Sequence, residues 1–421
     1  MLTRISIVFL IIHLQSFRAS GWPSAFKLWS TYHENEFQSE QARAVLNFFP
    51  VPVEEECMSE DKRRRGICMN TYECRIQQGQ SHGPCALGFG VCCIFTTSCG
   101  GEVQNNLTYV LSPGFPNLVD QPLNCSIFVK RIEPHVSQLR IDFVHFNIGQ
   151  PNRKNGLCDQ DLMEVKSGGT SIQICGWNSG QHIYMDVDEE GTMLEFRLPN
   201  AQQSRMWEMR VVQLAFEQRA PAGCLQYFDA PRGTLKTLNY LPNGRYLANQ
   251  DYLLCVRQER GMCSISYSPC TVDSFRIGPS RFPMRNASAD PMTGSATVNN
   301  GAPTNQNNQN LVEGSGTEDT TVITNLPTTS TRCSDRVLIP CDFEEFITPG
   351  NDGAGLCDLE HCGNSLCGPN EIDADGNCRV ETSATPFHIR IAFGAGDESG
   401  NVSVEDKAGM CLTFEQLPCM I

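Results

Sequence analysis

The sequence lacks a hydrophobic run of membrane-spanning length, and it ends in LTFEQLPCMI without an apolar tail. A transmembrane helix needs about 20 apolar residues, so we expect no insertion into a membrane and no lipid anchor. A shorter apolar run from Ile5 to Leu14 follows Arg4 near the start. This layout is typical of a secretory signal peptide, which we assign to residues 1–20. The chain is therefore predicted to be secreted and extracellular.

Catalytic motifs are also missing. A trypsin-like protease needs Ser, His and Asp beside a glycine-rich oxyanion turn, and no Gly-Asp-Ser-Gly-Gly occurs. The zinc-protease motif His-Glu-x-x-His is absent as well. None of the eight histidines has a metal-ligand spacing; they are His13, His33, His82, His135, His145, His182, His361 and His388. We predict a protein that is not an enzyme and that has no metal or cofactor.

Positive charge is scarce, with 32 Lys and Arg against 47 Asp and Glu and a formal net charge of −15. Such a chain does not favour nucleic acid or anionic membrane surfaces, so neither is expected as a partner. The main local exception is the run Lys62-Arg-Arg-Arg65. It has two interpretations, a cleavage site for a convertase or trypsin-like protease, or a solvated basic loop.

Cysteine, by contrast, is abundant, with 22 residues. Cytosolic thiols are kept reduced, so an even and dense set of cysteines indicates disulfide bonds formed in an oxidising compartment. Zinc binding is the rival interpretation, and the lack of histidines at ligand spacing disfavours it. Four sequons predict N-glycosylation at Asn106, Asn124, Asn286 and Asn401.

Six cysteines lie within residues 57–93, and two of them, Cys92 and Cys93, are adjacent. Adjacent cysteines rarely bond to each other because the ring is strained, so they are expected to have different partners. A segment this short cannot build a sizeable core, and cross-links must stabilise it. Fifteen pairings remain open from the residues alone. The stretch 21–56 before this segment is predicted to be a flexible lead-in.

Residues 99–218 contain short stretches of alternating apolar residues. Leu139, Ile141 and Phe143 form one such set, and Leu194, Phe196 and Leu198 form another. Turn-rich pieces separate them. Short alternating strands at close spacing predict an antiparallel β-sandwich. Four cysteines accompany these strands, in two well-separated groups: Cys99, Cys125, Cys158 and Cys175.

Residues 224–421 are predicted to form a second, diverged sandwich. The stretch Phe387–Phe393 alternates as a strand, and Phe414–Cys419 is typical of a closing strand tied by a disulfide. Between the two halves of this region, residues 285–331 are rich in Asn, Thr, Ser, Gly and Gln. Such a composition buries too little apolar surface to offset the entropy of ordering, so the insert is predicted to be disordered.

The first sandwich resembles a CUB domain, a ten-stranded jelly roll of extracellular proteins. The resemblance rests on Cys99-Gly-Gly101, Ser112-Pro-Gly-Phe-Pro-Asn117, Cys125-Ser-Ile, Asp142-Phe-Val-His-Phe-Asn147, Cys158-Asp-Gln-Asp161-Leu and Ile174-Cys-Gly176. It implies the pairs Cys99–Cys125 and Cys158–Cys175. Weaker echoes in the second region, at Cys224-Leu-Gln-Tyr227 and His361-Cys-Gly363 among others, imply Cys224–Cys255 and Cys333–Cys362. Eight cysteines stay unassigned: Cys263, Cys270, Cys341, Cys357, Cys367, Cys378, Cys411 and Cys419.

The six-cysteine segment resembles a clip domain through Gly66-x-Cys68, the five residues that lead to Cys74, and Val91-Cys-Cys93. That resemblance implies the pairs Cys57–Cys92, Cys68–Cys85 and Cys74–Cys93. The order of a clip-like segment followed by a CUB domain is similar to a family of secreted arthropod CUB-containing proteins. The fold class predicted is all-β, with two tandem disulfide-rich CUB-like sandwiches after a small cysteine-knotted segment.

The resemblance implies a non-enzymatic role, in which an extracellular protein or glycan is recognised through sandwich loops. One alternative is a non-catalytic regulator or cofactor in an extracellular clip-type protease cascade. Another is a disulfide-linked matrix or cuticle component.

Calcium is the ion that many CUB domains bind, through a glutamate, an aspartate in the Cys-x-x-Asp turn and an aspartate in a late loop. Ca²⁺ needs six or more oxygen ligands, several of them charged. Here the first position falls at Gly149 or Gln150 and the third near Pro199 and Asn200, so Asp161 is the one carboxylate of the three.

The candidate ligand loop comprises Asn147, Asp159, Asp161 and Trp177, and we predict that it carries no metal. If calcium binds at all, we expect it at Asn147, Asp159 and Asp161. Asp335 takes the matching position in the second region, without clear companions. Trp177 is expected near the surface, as a partner anchor or partly packed into the core.

Overall fold

The computed structural model describes residues 56–278, 333–340, 359–367, 378–396 and 407–419. The predicted signal peptide at 1–20, almost all of the lead-in at 21–56 and the insert at 285–331 lie outside these residues. The chain divides into two compact units. Of the described residues, the first unit contains 56–74 and 81–93, and the second contains 75–80 and those from Ile94 onward.

The first unit is a small antiparallel sheet with one short helix, α1 (Thr71–Ile76). Its strands are β1 (Glu56–Met58), β2 (Arg65–Met69), β3 (Gln80–Cys85) and β4 (Gly90–Thr97). Strand β2 pairs with β1 and with residues 91–93 of β4. Three disulfides join Cys57 to Cys92, Cys68 to Cys85 and Cys74 to Cys93. Neighbouring residues of a strand point to opposite faces, which is why Cys92 and Cys93 bond to different partners.

The second unit begins with a sandwich of two sheets. One sheet has the order β10-β9-β12-β7-β5, and in the other β6-β13-β8-β11 follow the end of β4. The strands are β5 (Glu102–Val103), β6 (Leu107–Leu111), β7 (Leu123–Val129), β8 (Val136–Asn147), β9 (Leu162–Ser167), β10 (Thr170–Ile174), β11 (His182–Asp186), β12 (Thr192–Leu198) and β13 (Met206–Ala215).

Alternation of side chains builds the core of this sandwich. Leu139, Ile141 and Phe143 point inward from β8 and are fully buried. The inward residues of β12 are buried too, and Phe196 stacks on Trp207 of β13 with ring centroids 4.3 Å apart. Strands β9 and β10 are joined through Gly168 and Gly169, which both have positive φ. A two-residue turn with that backbone matches the twist of an antiparallel hairpin.

A second sandwich follows in the same unit, with sheets in the orders β14-β16-β22-β19-β20 and β15-β23-β17-β21. Strand β18 pairs with β23. The strands are β14 (Cys224–Phe228), β15 (Arg232–Lys236), β16 (Gln250–Val256), β17 (Met262–Pro269), β18 (Phe275–Arg276), β19 (Arg336–Leu338), β20 (Glu360–His361), β21 (Val380–Thr382), β22 (His388–Phe393) and β23 (Gly409–Pro418).

The two sandwiches have the same topology. The first sheets of the two sandwiches correspond strand by strand. Strands β5, β7, β12, β9 and β10 take the same positions as β14, β16, β22, β19 and β20. In both, the sequence-first strand pairs in parallel with its neighbour, whereas the other pairs of this sheet are antiparallel. The prediction of an all-β chain with two tandem sandwiches is confirmed.

Disulfides repeat between the sandwiches as well. Cys99–Cys125 and Cys158–Cys175 in the first sandwich match Cys224–Cys255 and Cys333–Cys362 in the second. The second sandwich adds three more: Cys263–Cys419, Cys270–Cys411 and Cys367–Cys378. Every described cysteine is bonded. Cys341 and Cys357 lie outside the described residues.

Candidate functional site

The residues of the candidate ligand loop differ in exposure and in partners. Asn147 ends β8 and forms an isolated β-bridge with Trp177, a residue that is 44% exposed. Asp159 is exposed, and its carboxylate accepts a hydrogen bond from Asn152 Nδ2 at 2.9 Å. Asp161 is fully buried. Its buried carboxylate is therefore not accessible to a ligand from solution.

Asp161 is bound by Arg205, which lies directly before β13. Arg205 Nε is 2.6 Å from Asp161 Oδ2 and Arg205 Nη2 is 2.8 Å from Oδ1, and neither side chain is exposed to solvent. The backbone N–H of Gly149 also donates to Asp161 Oδ2, at 2.7 Å. The three candidate positions of this first sandwich do not fit a calcium ion, since the one carboxylate among them, Asp161, already has both oxygens bound.

The equivalent aspartate of the second sandwich, Asp335, is also engaged by protein donors. Tyr246 Oη donates to Asp335 Oδ2 at 2.6 Å, and the N–H of Gly394 donates to Oδ1 at 2.8 Å. Burial and the nearby Asp335 raise the pKa of Tyr246 above its ordinary value, so its hydroxyl keeps the donated proton at physiological pH.

The loops that follow β8 and precede β11 contact the second sandwich, and we call this contact the joint. Asn239 is its central residue and is fully buried. Its Oδ1 accepts from Trp177 N at 2.7 Å, and its Nδ2 donates to Gln150 Oε1 at 3.1 Å and to Arg245 O at 2.9 Å. The backbone N–H of Asn239 donates to Asn178 Oδ1 at 2.8 Å. One side chain therefore ties both loops to the second sandwich.

Backbone geometry at the joint requires particular residues. Gly176 has φ +82°, and a Cβ at this position would overlap Asn239 Oδ1. Asn239 itself has φ +58°, a left-handed conformation that asparagine tolerates better than most residues. The sequence motif Cys175-Gly176 of the first sandwich thus makes room for a residue of the second.

His182 adds a second contact across the joint. Its Nε2 lies 3.0 Å from Tyr227 O and 3.2 Å from Tyr227 N, in strand β14. Burial, reinforced by the positive charge of Arg140, lowers the pKa of His182 to about 4. The imidazole is therefore neutral at physiological pH and acts as a structural hydrogen-bonding group.

An open cleft of about 740 Å³ lies beside the joint, between the two sandwiches. Strands β10 and β11 line one side, and the starts of β14 and β16 line the other. Its charged lining residues are Asp186, Asp188 and Asp251, with no Lys or Arg among the lining residues. Apolar side chains, including Ile172, share the lining. This mixture is typical of a binding surface.

The described residues contain no cluster of three or more His, Cys, Asp or Glu that could hold a metal ion. His361 is buried, with Nδ1 2.7 Å from Leu366 O. No described helix has the length and apolarity to cross a membrane. Of the sequons, Asn106 and Asn124 are exposed, whereas Asn286 and Asn401 lie outside the described residues.

Sequence reasoning missed the three residues that organise this region, Arg205, Asn239 and Tyr246. None of them belongs to a recognisable motif, and their bonds to Asp161, Trp177 and Asp335 each span at least 44 residues of the chain. An asparagine between two strands can adopt a positive φ, as Asn239 does. The sequence alone does not distinguish Asn239 from the other asparagines of the chain.

Comparison with known proteins identifies the sandwiches. The CUB domain model matches residues 99–210, and the animal CUB domain model matches residues 221–417. Cubilin from the dog, Canis lupus familiaris, is 27% identical over 173 residues, which is 39% of this chain and 4% of cubilin. This chain thus spans a small part of that relative's length.

Two solved structures give a further comparison. The CUB1-EGF-CUB2 domains of rat MASP-1 are 12% identical, with a TM-score of 0.23, over 76% of this chain and 99% of that one. The full extracellular region of zebrafish Gpr126/Adgrg6 is 11% identical, with a TM-score of 0.24, over 77% and 37%. From the two family matches, the chain is a CUB domain-containing protein with two CUB domains in tandem.

Proposed function

We propose that this is a secreted, non-enzymatic recognition protein that binds an extended basic segment of an extracellular protein in the cleft between its CUB domains. The observation that carries the proposal is the acidic cleft between open strand edges. The many disulfides fit an oxidising extracellular setting. Since every described cysteine is bonded within the chain, these residues give no support to a disulfide-linked matrix component.

The shape of the cleft suits an extended chain. Among the described strands, β10 pairs only with β9, so one edge of its backbone is outside the sheet ladder. Exposed strand edges accept a further strand through main-chain hydrogen bonds, and side chains then give specificity. Thr170, Ser171 and Gln173 are exposed on this strand, with Ile172 half-buried between them. A bound strand would find polar and apolar contacts in alternation.

Charge selects the class of ligand. Asp251 is neutralised by Arg390, with contacts of 2.7 and 2.6 Å. Asp186 instead accepts from Gln138 Nε2 at 2.9 Å, and Asp188 accepts from the N–H of Glu190 at 3.0 Å. In the described part of the chain, neither of these two carboxylates forms an ion pair. Their uncompensated charge favours Lys or Arg side chains in the ligand.

The joint keeps the two walls of the cleft in place. Ala248 in one wall donates its N–H to Gly156 O in the other, at 3.0 Å. Gln250 Nε2 lies 3.5 Å from Gln173 O across the cleft. A preorganised site loses less conformational entropy when a ligand binds, which raises affinity.

The first test uses the full-length secreted protein and a blocked peptide of alternating Val and Lys. We expect D186N/D188N to weaken binding of this peptide by about tenfold, since two charge contacts are removed. The measurement is fluorescence anisotropy of the labelled peptide at physiological salt. D229N/D273N is the matched control, because both residues are exposed and neither lines the cleft.

A peptide of alternating Val and Glu should bind weakly to every variant. Equal binding of the Lys and Glu peptides would contradict the proposal. So would preferential binding of a sulfated oligosaccharide, because that result would assign the protein to glycan recognition.

A second candidate function is that of a cleavable regulator of a clip-type protease cascade, and the basic loop favours it. Lys62 and Arg63 are exposed in the turn between β1 and β2. The disulfide Cys57–Cys92 spans this turn. A cut after any residue from Lys62 to Arg65 would therefore leave both pieces covalently joined.

Limited digestion with trypsin is expected to cut the loop and leave one band on a non-reducing gel. Reduction should release the N-terminal piece, because Cys57 is the only cysteine before the cut. A variant with Gln at positions 62 to 65 should lose this cut. A loop that survives while the rest of the chain is degraded would count against a cleavage role.

A further inference from the structure

Arg205 occupies a pocket of oxygen atoms in the first CUB domain. Besides Asp161, its guanidinium donates to Gln203 O at 2.9 Å and to Asn200 O, with Gln121 O at 3.5 Å. Its own backbone is held by Val119 in an antiparallel bridge. The side chain is fully buried, and each of its three nitrogens donates at least one hydrogen bond.

The guanidinium lies where the three candidate cation positions converge. Asp161 binds it directly, Asn200 binds it through a carbonyl, and Gly149 binds Asp161 through its N–H. A Cβ added to Gly149 would lie 2.8 Å from Asp161 Oδ2, which leaves no space for a side-chain ligand. The first position is therefore closed at Gly149, and the third contributes the carbonyl of Asn200 instead of a carboxylate.

We infer that Arg205 is an internal cation that takes the place of calcium and holds these loops in the first CUB domain without a metal. The bidentate pair satisfies both carboxylate oxygens, and charge-assisted bonds of this kind are the strong ones. A divalent ion entering this pocket would meet a fixed positive charge and a single carboxylate. Ca²⁺ requires more oxygen ligands than that arrangement leaves.

The internal cation also connects to the joint through a continuous hydrogen-bond path. Gly149 N binds Asp161, and Gly149 O accepts from Gly176 N at 2.9 Å. Trp177, the next residue, donates its N–H to Asn239 of the second domain. Arg205 thereby acts as a positioning residue for the contact between the two domains, although it touches neither Asn239 nor the cleft.

Hydrogen–deuterium exchange on the full-length secreted protein tests the inference. In the unaltered protein, exchange in residues 147–150 and 175–181 should be the same in excess CaCl₂ and in a chelator. Because the measurement is local, an ion bound elsewhere in the chain does not affect it. Faster exchange of these loops in the chelator would overturn the inference.

Arg205→Ala should raise exchange in both loops, and in residues 237–239, by about tenfold or more, and added calcium should not reverse it. Arg205→Lys keeps the charge but loses the planar fork, so its effect should be smaller. Arg197→Ala is the matched control, because that arginine is half exposed and pairs with Glu164.

Unchanged exchange in Arg205→Ala would overturn the inference. If this variant is not secreted, two measurements still test the inference. They are the comparison of Arg205→Lys with Arg197→Ala and the calcium comparison on the unaltered protein. Faster exchange in the loops together with unchanged exchange at 237–239 would disprove the path to the joint.

Discussion

Removing Cys263–Cys419 and Cys270–Cys411 together is expected to lower the free energy of unfolding by about 8 kcal/mol, more than twice the cost of removing either one. Both disulfides tie β17 to β23, and they close chain loops of 156 and 141 residues. Two of the other disulfides, Cys333–Cys362 and Cys367–Cys378, shorten these loops. After this shortening, the loop that the pair of disulfides closes is on the order of 100 residues, and closing it stabilises the fold by about 5 kcal/mol through chain entropy.

While one of these two disulfides is intact, losing the other costs less stability. While one is intact, the second closes only the short path along β17 and β23, on the order of 15 residues, and contributes about 3 kcal/mol. The single variants C263S/C419S and C270S/C411S should therefore each lose about 3 kcal/mol. The quadruple variant should lose about 5 kcal/mol more, a loss comparable to the whole stability of many domains.

Denaturant unfolding followed by pulsed hydrogen exchange in β17 and β23 measures these differences. C367S/C378S is a control for the loss of one short loop, since its cysteines are 11 residues apart. Strict additivity of the two single losses would show that the disulfides do not act on the same chain loop.

Replacing Asn239 by Ala is expected to cost about 3–4 kcal/mol and to uncouple the two CUB domains. The side chain makes three hydrogen bonds at the joint. Its loss leaves Arg245 O without this partner in a buried place and Trp177 N without it in a half-buried one. The left-handed backbone of residue 239 adds strain for alanine. In thermal unfolding, one shared transition should become two.

Asn239→Gly separates these contributions. Glycine accepts the positive φ, so this variant loses the hydrogen bonds but not the backbone fit, and its loss should be smaller by about 1 kcal/mol. Asn239→Asp keeps the acceptor for Trp177 N and loses the two donated bonds. Equal stability of all three variants with the unaltered protein would show that the side chain does not hold the joint.

The fold was predictable because burial alternates with a period of two. In the sequence, Leu139, Ile141 and Phe143 predict the inward face of β8, and all three are buried in the structure. In the second sandwich, β18 and β20 have two residues each. Strands this short are too brief to show alternation. For β20, the similarity of His361-Cys-Gly363 to the first sandwich was the more useful signal.

The pairing of the unassigned cysteines was beyond the sequence for a different reason. Cys263, Cys270, Cys411 and Cys419 allow three pairings among themselves. The choice depends on the register of β17 against β23, in which Met262 faces Pro418 and Pro269 faces Leu412. Register is a property of the assembled sheet, set by both faces at once.

The sequence supplied three candidate cation positions, at Gly149, Asp161 and Asn200, but not the chemistry that joins them. In the structure, Gly149 N binds Asp161, and Arg205 binds both Asp161 and Asn200 O. What the sequence could not supply was the occupant, because Arg205 is one arginine among many until the chain folds. Local sequence patterns assign residues to strands. The contact between Arg205 and Asp161, which are 44 residues apart, depends instead on how the strands pack.

The disulfide Cys263–Cys419 also has a mechanical consequence. When tension is applied between the two ends of the chain, the load passes across this covalent bond and bypasses the residues between its two cysteines, which are 156 positions apart. Those residues contribute no length to the stretched molecule, however far the sheets around them come apart. Because Cys224–Cys255 likewise bypasses the residues between its two cysteines, force along the chain could extend only a few residues of the second CUB domain before a covalent bond carries it.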